Sequence, residues 1–242
     1  FSHGGDAPAR YDLLLRPDLP ATERSELHVK HPAPGRRPVL LLFCGLAQRF
    51  AMPLNLAHRW LARLGAHVVY PRDFKRVYYL AGVGGLGAGY DATCGALREL
   101  ATSLDASGIV CLGNSAGSFG ALNLALDLHA TGVLCLSGPT RIDQSLGDVE
   151  RGFTDAGLAI ASVPRDHLDV RRRLVRMPRR PRHVHGADND VDRAEAANLA
   201  GIGGVELLPI DGWSRHSVVE ALIPSGAFDA HLRWLVGTTA PA

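Results

Sequence analysis

Cysteine is scarce in this sequence, and its placement excludes more than its number. The four thiols, Cys44, Cys94, Cys111 and Cys135, each fall inside an apolar stretch, with no C-x-x-C pair and no Cys/His ligand spacing. A zinc site and a disulfide framework are therefore not expected; the thiols read as small core residues in a reducing, cytoplasmic setting. No apolar run approaches the roughly 18 residues of a membrane span, and no N-terminal stretch has signal-peptide form. Charge of one sign is missing too. Lys and Arg total 26 against 24 Asp and Glu, net +2, which removes any global pull toward nucleic acid or an acidic membrane. Internal repeats are absent, and the only biased segments are the ends, 1–9 and 237–242, which are expected to fray. The chain begins at Phe1 rather than Met, which leaves room for an upstream leader or domain.

What is present suits a folded core. With 242 residues, 46% hydrophobic and 21% charged, the chain reads as one domain over 1–242 rather than a disordered or fibrous protein. Short apolar runs predict buried strands at Val39–Cys44, His67–Tyr70, Ile109–Leu112, Val133–Leu136, Arg182–His185 and Val205–Leu208. Between them, Tyr90, Cys94, Leu97, Ala101 and Leu104 recur at helical steps, as do Ala57, Trp60, Leu61 and Leu64. Alternating strand and helix implies an α/β fold, a mainly parallel sheet with helices on both faces. Tyr11–Leu15 and Glu26–Lys30 suggest an antiparallel hairpin at one edge. In such sheets ligands sit beyond the carboxyl ends of the strands, so chemistry is sought there.

After the strand at 109–112 comes Gly113-Asn114-Ser115-Ala116-Gly117, then a helix-forming run. This is G-x-S-x-G in a strand, turn, helix setting. The turn forces the serine into a strained backbone that only small neighbours two positions either side tolerate, and it sets the hydroxyl at a helix N-terminus. The competing reading is an ordinary turn with Ser115 or Ser118 as helix cap.

On these residues the chain resembles the α/β-hydrolase superfamily over 38–136 and 182–222. The resemblance implies a nucleophile, acid, histidine order along the chain, with no metal or organic cofactor. It also implies an oxyanion hole from the amide after the nucleophile, here Ala116, and a second amide after an early strand. Cys44-Gly45 stands where many members have His-Gly, and Leu46 is the second donor candidate. Cys44 as nucleophile is the rival idea, with no feature nearby to activate its thiol.

His216 is singled out as the base, because it follows the strand at 205–208 and the Ile210-Asp211-Gly212 turn, where the family carries that residue. The acid is left open within His185-Gly186-Ala187-Asp188-Asn189-Asp190-Val191-Asp192. Asp188 lies nearest the strand end and is preferred, although G-x-x-D counted from Gly186 lands on Asn189. Asp190 follows. Asp192, with Glu195 three residues on, reads as a helix N-cap with its capping partner. Asp143 is the remaining alternative, since some members take the acid after the preceding strand.

Gly82-Val83-Gly84-Gly85-Leu86-Gly87 satisfies G-x-G-x-x-G, but no acidic residue ends the next strand, so a Gly-rich loop near the site rim is expected rather than a dinucleotide site. Trp213 is a candidate pocket wall, and Arg72 and Asp73 either orient substrate or pair. The arginines at 171, 172, 173, 176, 179, 180 and 182 form a solvated basic face, or a dock for an acyl group borne on a phosphate-bearing or acidic carrier. About 45 residues before Arg182 leave room for a small lid, with Leu158, Ile160, Val163, Leu168 and Leu174 as lining candidates or core. The sequence thus points to a serine hydrolase acting on a small-molecule ester or thioester. An acyltransferase using Ser115 and a non-catalytic binding member are the alternatives.

Overall fold

Among the described residues seven strands form one sheet, in the order β1-β3-β2-β4-β5-β6-β7. The computed structural model describes residues 27–30, 35–142, 164–175 and 181–237. The strands are β1 (Leu27–Lys30), β2 (Val39–Phe43), β3 (His67–Pro71), β4 (Ile109–Asn114), β5 (Gly132–Leu136), β6 (Arg182–Gly186) and β7 (Glu206–Ile210). From β3 through β7 in that order every pairing is parallel; only β1 runs antiparallel, against β3 at the edge. The six strands expected from the apolar runs are all present, within two residues at each end. At that edge Leu27–Lys30 of the expected hairpin is a strand paired with β3, and its expected partner Tyr11–Leu15 lies outside the described residues.

The strands alternate residues between two apolar layers, as period-2 geometry requires. Val39, Leu41, Phe43, Cys111, Val133 and Cys135 face one cluster, filled by α2 (Tyr90–Ser103), α3 (Ala116–Asp127) and α4 (Val170–Leu174). Leu40, Leu42, Val110, Leu112, Leu134 and Leu136 face the other, filled by α1 (Leu54–Leu61), α6 (Val219–Leu222) and α7 (Ala227–Gly237). Helix α5 (Asp190–Leu199) follows β6. Covering both faces is what lets β2, β3 and β5 be buried at every position.

The Gly-rich segment 82–87 is packed down rather than standing at a rim. It contains the 3₁₀ turn Gly84–Leu86, Val83 and Leu86 are buried, and the Val83 N–H donates to Thr93 Oγ1 of α2 at 2.8 Å. Leu168 and Leu174 pack on the core instead of lining a pocket, while Leu158, Ile160 and Val163 lie outside the described residues. Among the described residues no helix is long and apolar enough to cross a membrane.

Candidate active site

Strand β4 ends and α3 begins with only Ser115 between them, and that residue has φ 55° and ψ −129°. A serine has no steric licence for this left-handed conformation, so the surroundings impose it. Two glycines make the bend possible. A β-carbon on Gly113 would lie 2.5 Å from the Gly117 oxygen, and one on Gly117 would overlap the Phe43 carbonyl of β2. The helix therefore starts hard against the sheet, and Ser115 Oγ is lifted to the carboxyl end of the strands. Its N–H donates to Leu136 O at 3.1 Å, which ties the bend to β5.

His216 lies 101 positions further on, in the loop after β7. Ser115 Oγ is 2.8 Å from His216 Nε2. On the other side of the ring, His216 Nδ1 is 2.7 Å from Asp192 Oδ1. The hydrogen bond to Asp192 raises the imidazole pKa above its ordinary value, against a smaller opposing effect of burial. Asp192 is 1% exposed, whereas the ring is half exposed, so the carboxylate is sealed and the imidazole reaches solvent.

This geometry corrects the ranking of the aspartates. Asp188 is exposed, and its contribution is a backbone one, an N–H donated to Trp213 O at 3.1 Å. Asp190 is also exposed and pairs with Arg193 at 2.7 Å. Asp143 lies outside the described residues. Asp192 is not the N-cap either: Asn189 caps α5, accepting the Asp192 N–H at 3.0 Å. Glu195, assigned by sequence to a capping pair, accepts instead from the Thr140 N–H at 2.7 Å. The cap thus lies one helical turn earlier than the D-x-x-E pattern implies. At the third position of α5 the carboxylate sits near the positive end of the helix and points inward.

Asn189 stands where G-x-x-D spacing from Gly186 would put an acid. Its side chain performs a different task, because Nδ2 donates to Ser214 O at 3.0 Å while Oδ1 holds the Asp192 N–H. The Asn189 bond to Ser214 O and the Ala187 N–H bond to Ile210 O at 3.0 Å stitch the turn before α5, whose first turn carries Asp192, to the segment leading to His216. Side-chain capping plus a Gly-free β6–α5 turn after Gly186 was the available signal.

The loop after β2 flanks the serine. A β-carbon placed on Gly45 would lie 3.2 Å from Ser115 Cβ. The Gly45–Gln48 turn closes through Gln48 N–H to Gly45 O at 2.9 Å and Gly45 N–H to Arg49 O at 3.2 Å, and neither bond uses the Leu46 amide. The Ala116 amide, at the first position of α3, has no intrahelical acceptor. These are the two N–H groups expected for an oxyanion hole, on the two segments that meet at Ser115.

Cys44 is unsuited to nucleophilic work, since burial pushes its thiol up to about 12. Trp213 is half-buried and its carbonyl lies against Gly186, so it holds the His216 loop to β6. Arg72 stacks on Phe74 with 4.3 Å to the ring centroid, and the Asp73 carboxylate accepts the Tyr79 N–H at 2.9 Å. Three of the four described arginines of the basic segment spend donors within the chain, and the fourth, Arg172, is exposed with Asp169 3.8 Å away. Arg171 bonds Asn198 O and Ala200 O, Arg173 bonds Asp127, and Arg182 bonds Glu206. Arg176, Arg179 and Arg180 lie outside the described residues.

No protein-family model matches the chain, and no curated protein matches it by sequence. Solved structures do. An S-formylglutathione hydrolase from Agrobacterium tumefaciens superposes with TM-score 0.62 at 18% identity, over 88% of this chain and 90% of that one. Esterase Est2 from Thermogutta terrifontis, in a butyrate-bound form, gives TM-score 0.59 at 18% identity over 89% and 91%. Carboxyl esterase 2 from Tuber melanosporum gives 0.60 at 15% identity over 88% and 80%. A mainly parallel sheet in this strand order, a strained serine between β4 and α3, and superpositions covering 88–89% of this chain make this an α/β-hydrolase fold.

Proposed function

We propose that the protein is a serine hydrolase that cleaves a carboxylic ester through an acyl-enzyme on Ser115. The observation that carries this is the unbroken relay from Ser115 Oγ to His216 Nε2 at 2.8 Å and from His216 Nδ1 to Asp192 Oδ1 at 2.7 Å, with the serine on a strained turn. Likeness to proteins called esterases and a formylglutathione hydrolase supports the reaction class, and one neighbour, the Thermogutta esterase, is described as phosphonylated by sarin.

In this mechanism the Ser115 hydroxyl donates its proton to His216 Nε2 as Oγ attacks the substrate carbonyl. His216 Nδ1–H donates to Asp192, which fixes the tautomer and stabilises the imidazolium as it forms. The carbonyl oxygen gains charge and accepts from the Ala116 and Leu46 amides, and the N-terminal end of α3 favours that charge. His216 then delivers the proton to the leaving alkoxide or thiolate. Water, deprotonated by the same imidazole, attacks the acyl group, and the acid departs with the serine restored. No step asks for a metal or an organic cofactor. Thioesters follow the same path. The buried free thiols support a reducing, cytoplasmic setting, and a carrier-borne acyl group is not required by it.

The test is intact-mass measurement after exposure to an alkyl fluorophosphonate, alongside hydrolysis of p-nitrophenyl esters of increasing chain length. One adduct on wild type and none on Ser115→Ala is expected. An adduct that survives Ser115→Ala moves the nucleophile elsewhere, and no adduct with no turnover leaves the cleft a binding site. Product analysis with added alcohol or thiol separates hydrolysis from acyl transfer.

A further inference from the structure

The loop that carries Leu46 begins where the β2 ladder stops. Phe43 is the last residue of β2 paired with β4, opposite Gly113, and Cys44 is the next along the chain. In place of a strand partner, the Cys44 N–H donates to the Tyr79 hydroxyl at 2.8 Å. That hydroxyl has two carbonyl acceptors in reach, Cys44 O at 3.1 Å and Pro71 O at 3.2 Å. One phenol oxygen therefore joins the end of β2, the entry to the Gly45–Leu46 turn and the end of β3.

The ring is held as firmly as its oxygen. Tyr79 is 1% exposed and meets Phe43 edge to face with centroids 5.1 Å apart. Its other flank lies on Gly120 of α3, where an added methyl group would overlap the ring. Its N–H is anchored on Asp73 Oδ2 at 2.9 Å. Arg76, Tyr78 and Tyr79 all have positive φ, between 56° and 65°, a strained run that persists only where surrounding contacts over-determine it. The helix that Tyr79 wedges against is the one that begins at Ser115. Burial holds the phenol pKa well above its ordinary value, so the hydroxyl keeps its proton throughout the working range.

We propose that Tyr79 is a positioning residue for the reaction: it fixes the Cys44 peptide, and through it the Leu46 amide, at the spacing from Ser115 that a developing oxyanion requires. This rests on the acyl-enzyme reading above. Tyr79 does not touch the substrate. Preorganisation of a donor is worth most when the group that carries it cannot drift, and a buried three-way hydrogen bond at the root of the turn supplies that.

Tyr79→Phe keeps the ring and removes only the oxygen. Its kcat on a p-nitrophenyl ester is expected to fall by about tenfold or more, toward the 10²–10³ seen when an oxyanion donor is lost outright. KM should stay within about threefold, and the midpoint of the acid limb of the pH profile should not move. Inhibition by an alkyl trifluoromethyl ketone, whose hemiketal oxyanion occupies the hole, should weaken by the factor lost in kcat. Amide hydrogen exchange at Cys44 should quicken. Tyr79→4-aminophenylalanine, which puts a donor and acceptor nitrogen back on the same ring, should recover part of both losses, and it carries the test if the Phe variant does not fold. A kcat and ketone affinity within about twofold of wild type in Tyr79→Phe overturns the proposal. If wild type neither labels at Ser115 nor turns over, the acyl-enzyme reading fails by itself, and unchanged Cys44 exchange in Tyr79→Phe then overturns the positioning role as well.

Discussion

Asp192→Asn exchanges one carboxylate oxygen for an amide group at nearly constant volume, in a site only 1% exposed. The wild-type contact is a charge-assisted bond of 2.7 Å to His216 Nδ1. An asparagine there turns its NH₂ toward the ring, so Nδ1 becomes an acceptor and the proton moves to Nε2. In that tautomer Nε2 donates toward Ser115 Oγ and has no lone pair to take the serine proton. The imidazolium that must form also loses the anion that stabilises it. A loss of about 10³–10⁴ in kcat/KM follows, which is about 4–5.5 kcal/mol of transition-state stabilisation at 1.36 kcal/mol per decade. The fold should hardly notice. Removing a charge from the first turn of α5 costs about 0.3–1 kcal/mol, a shift of about 1–4 °C in Tm for a chain of this size. The assay is continuous p-nitrophenyl acetate hydrolysis at pH 8, with a thermal melt of each variant. Asp188→Asn and Asp190→Asn are the controls, expected within about twofold of wild type because both carboxylates are exposed. An Asp192→Asn enzyme within tenfold of wild type, or a collapse in Asp188→Asn with Tm intact, would refute the assignment.

The pH dependence has a defined sign. In the proposed mechanism His216 acts as base only when neutral, and its pKa is raised by Asp192, so activity should fall as pH drops through a midpoint above 6.5; in the residual activity of Asp192→Asn that midpoint should move down, read from kcat/KM profiles. Gly117→Ala forces a β-carbon into the Phe43 carbonyl and should cost about 1–3 kcal/mol or prevent folding, seen as a lowered urea midpoint with unchanged m-value in whatever folds. Asn189→Ala removes the α5 cap and the tie to Ser214 O; it should destabilise by about 1 kcal/mol and lower kcat more than KM, measured by denaturation and steady-state kinetics.

Sequence alone determined the elements whose signal is local. Each buried strand is a short apolar run, and the bend at Ser115 is written in the small residues that flank it, because sterics at one turn leave few alternatives. His216 was also legible, through its place after the last strand. The choice among Asp188, Asp190 and Asp192 was not local. Three carboxylates within five residues differ little in propensity, and what separates them is which one the first turn of α5 rotates inward, set by Asn189 taking the cap one turn earlier than the D-x-x-E pattern suggested. Tyr79 lay equally beyond reach, since its partners at Cys44, Pro71 and Gly120 are 8 to 41 positions away and only the closed sheet brings them to one oxygen and one ring. A sequence can state which turn is tight. Which side chain faces which across two loops is decided by the packed structure, where burial makes a single hydrogen-bonding arrangement far cheaper than its rivals.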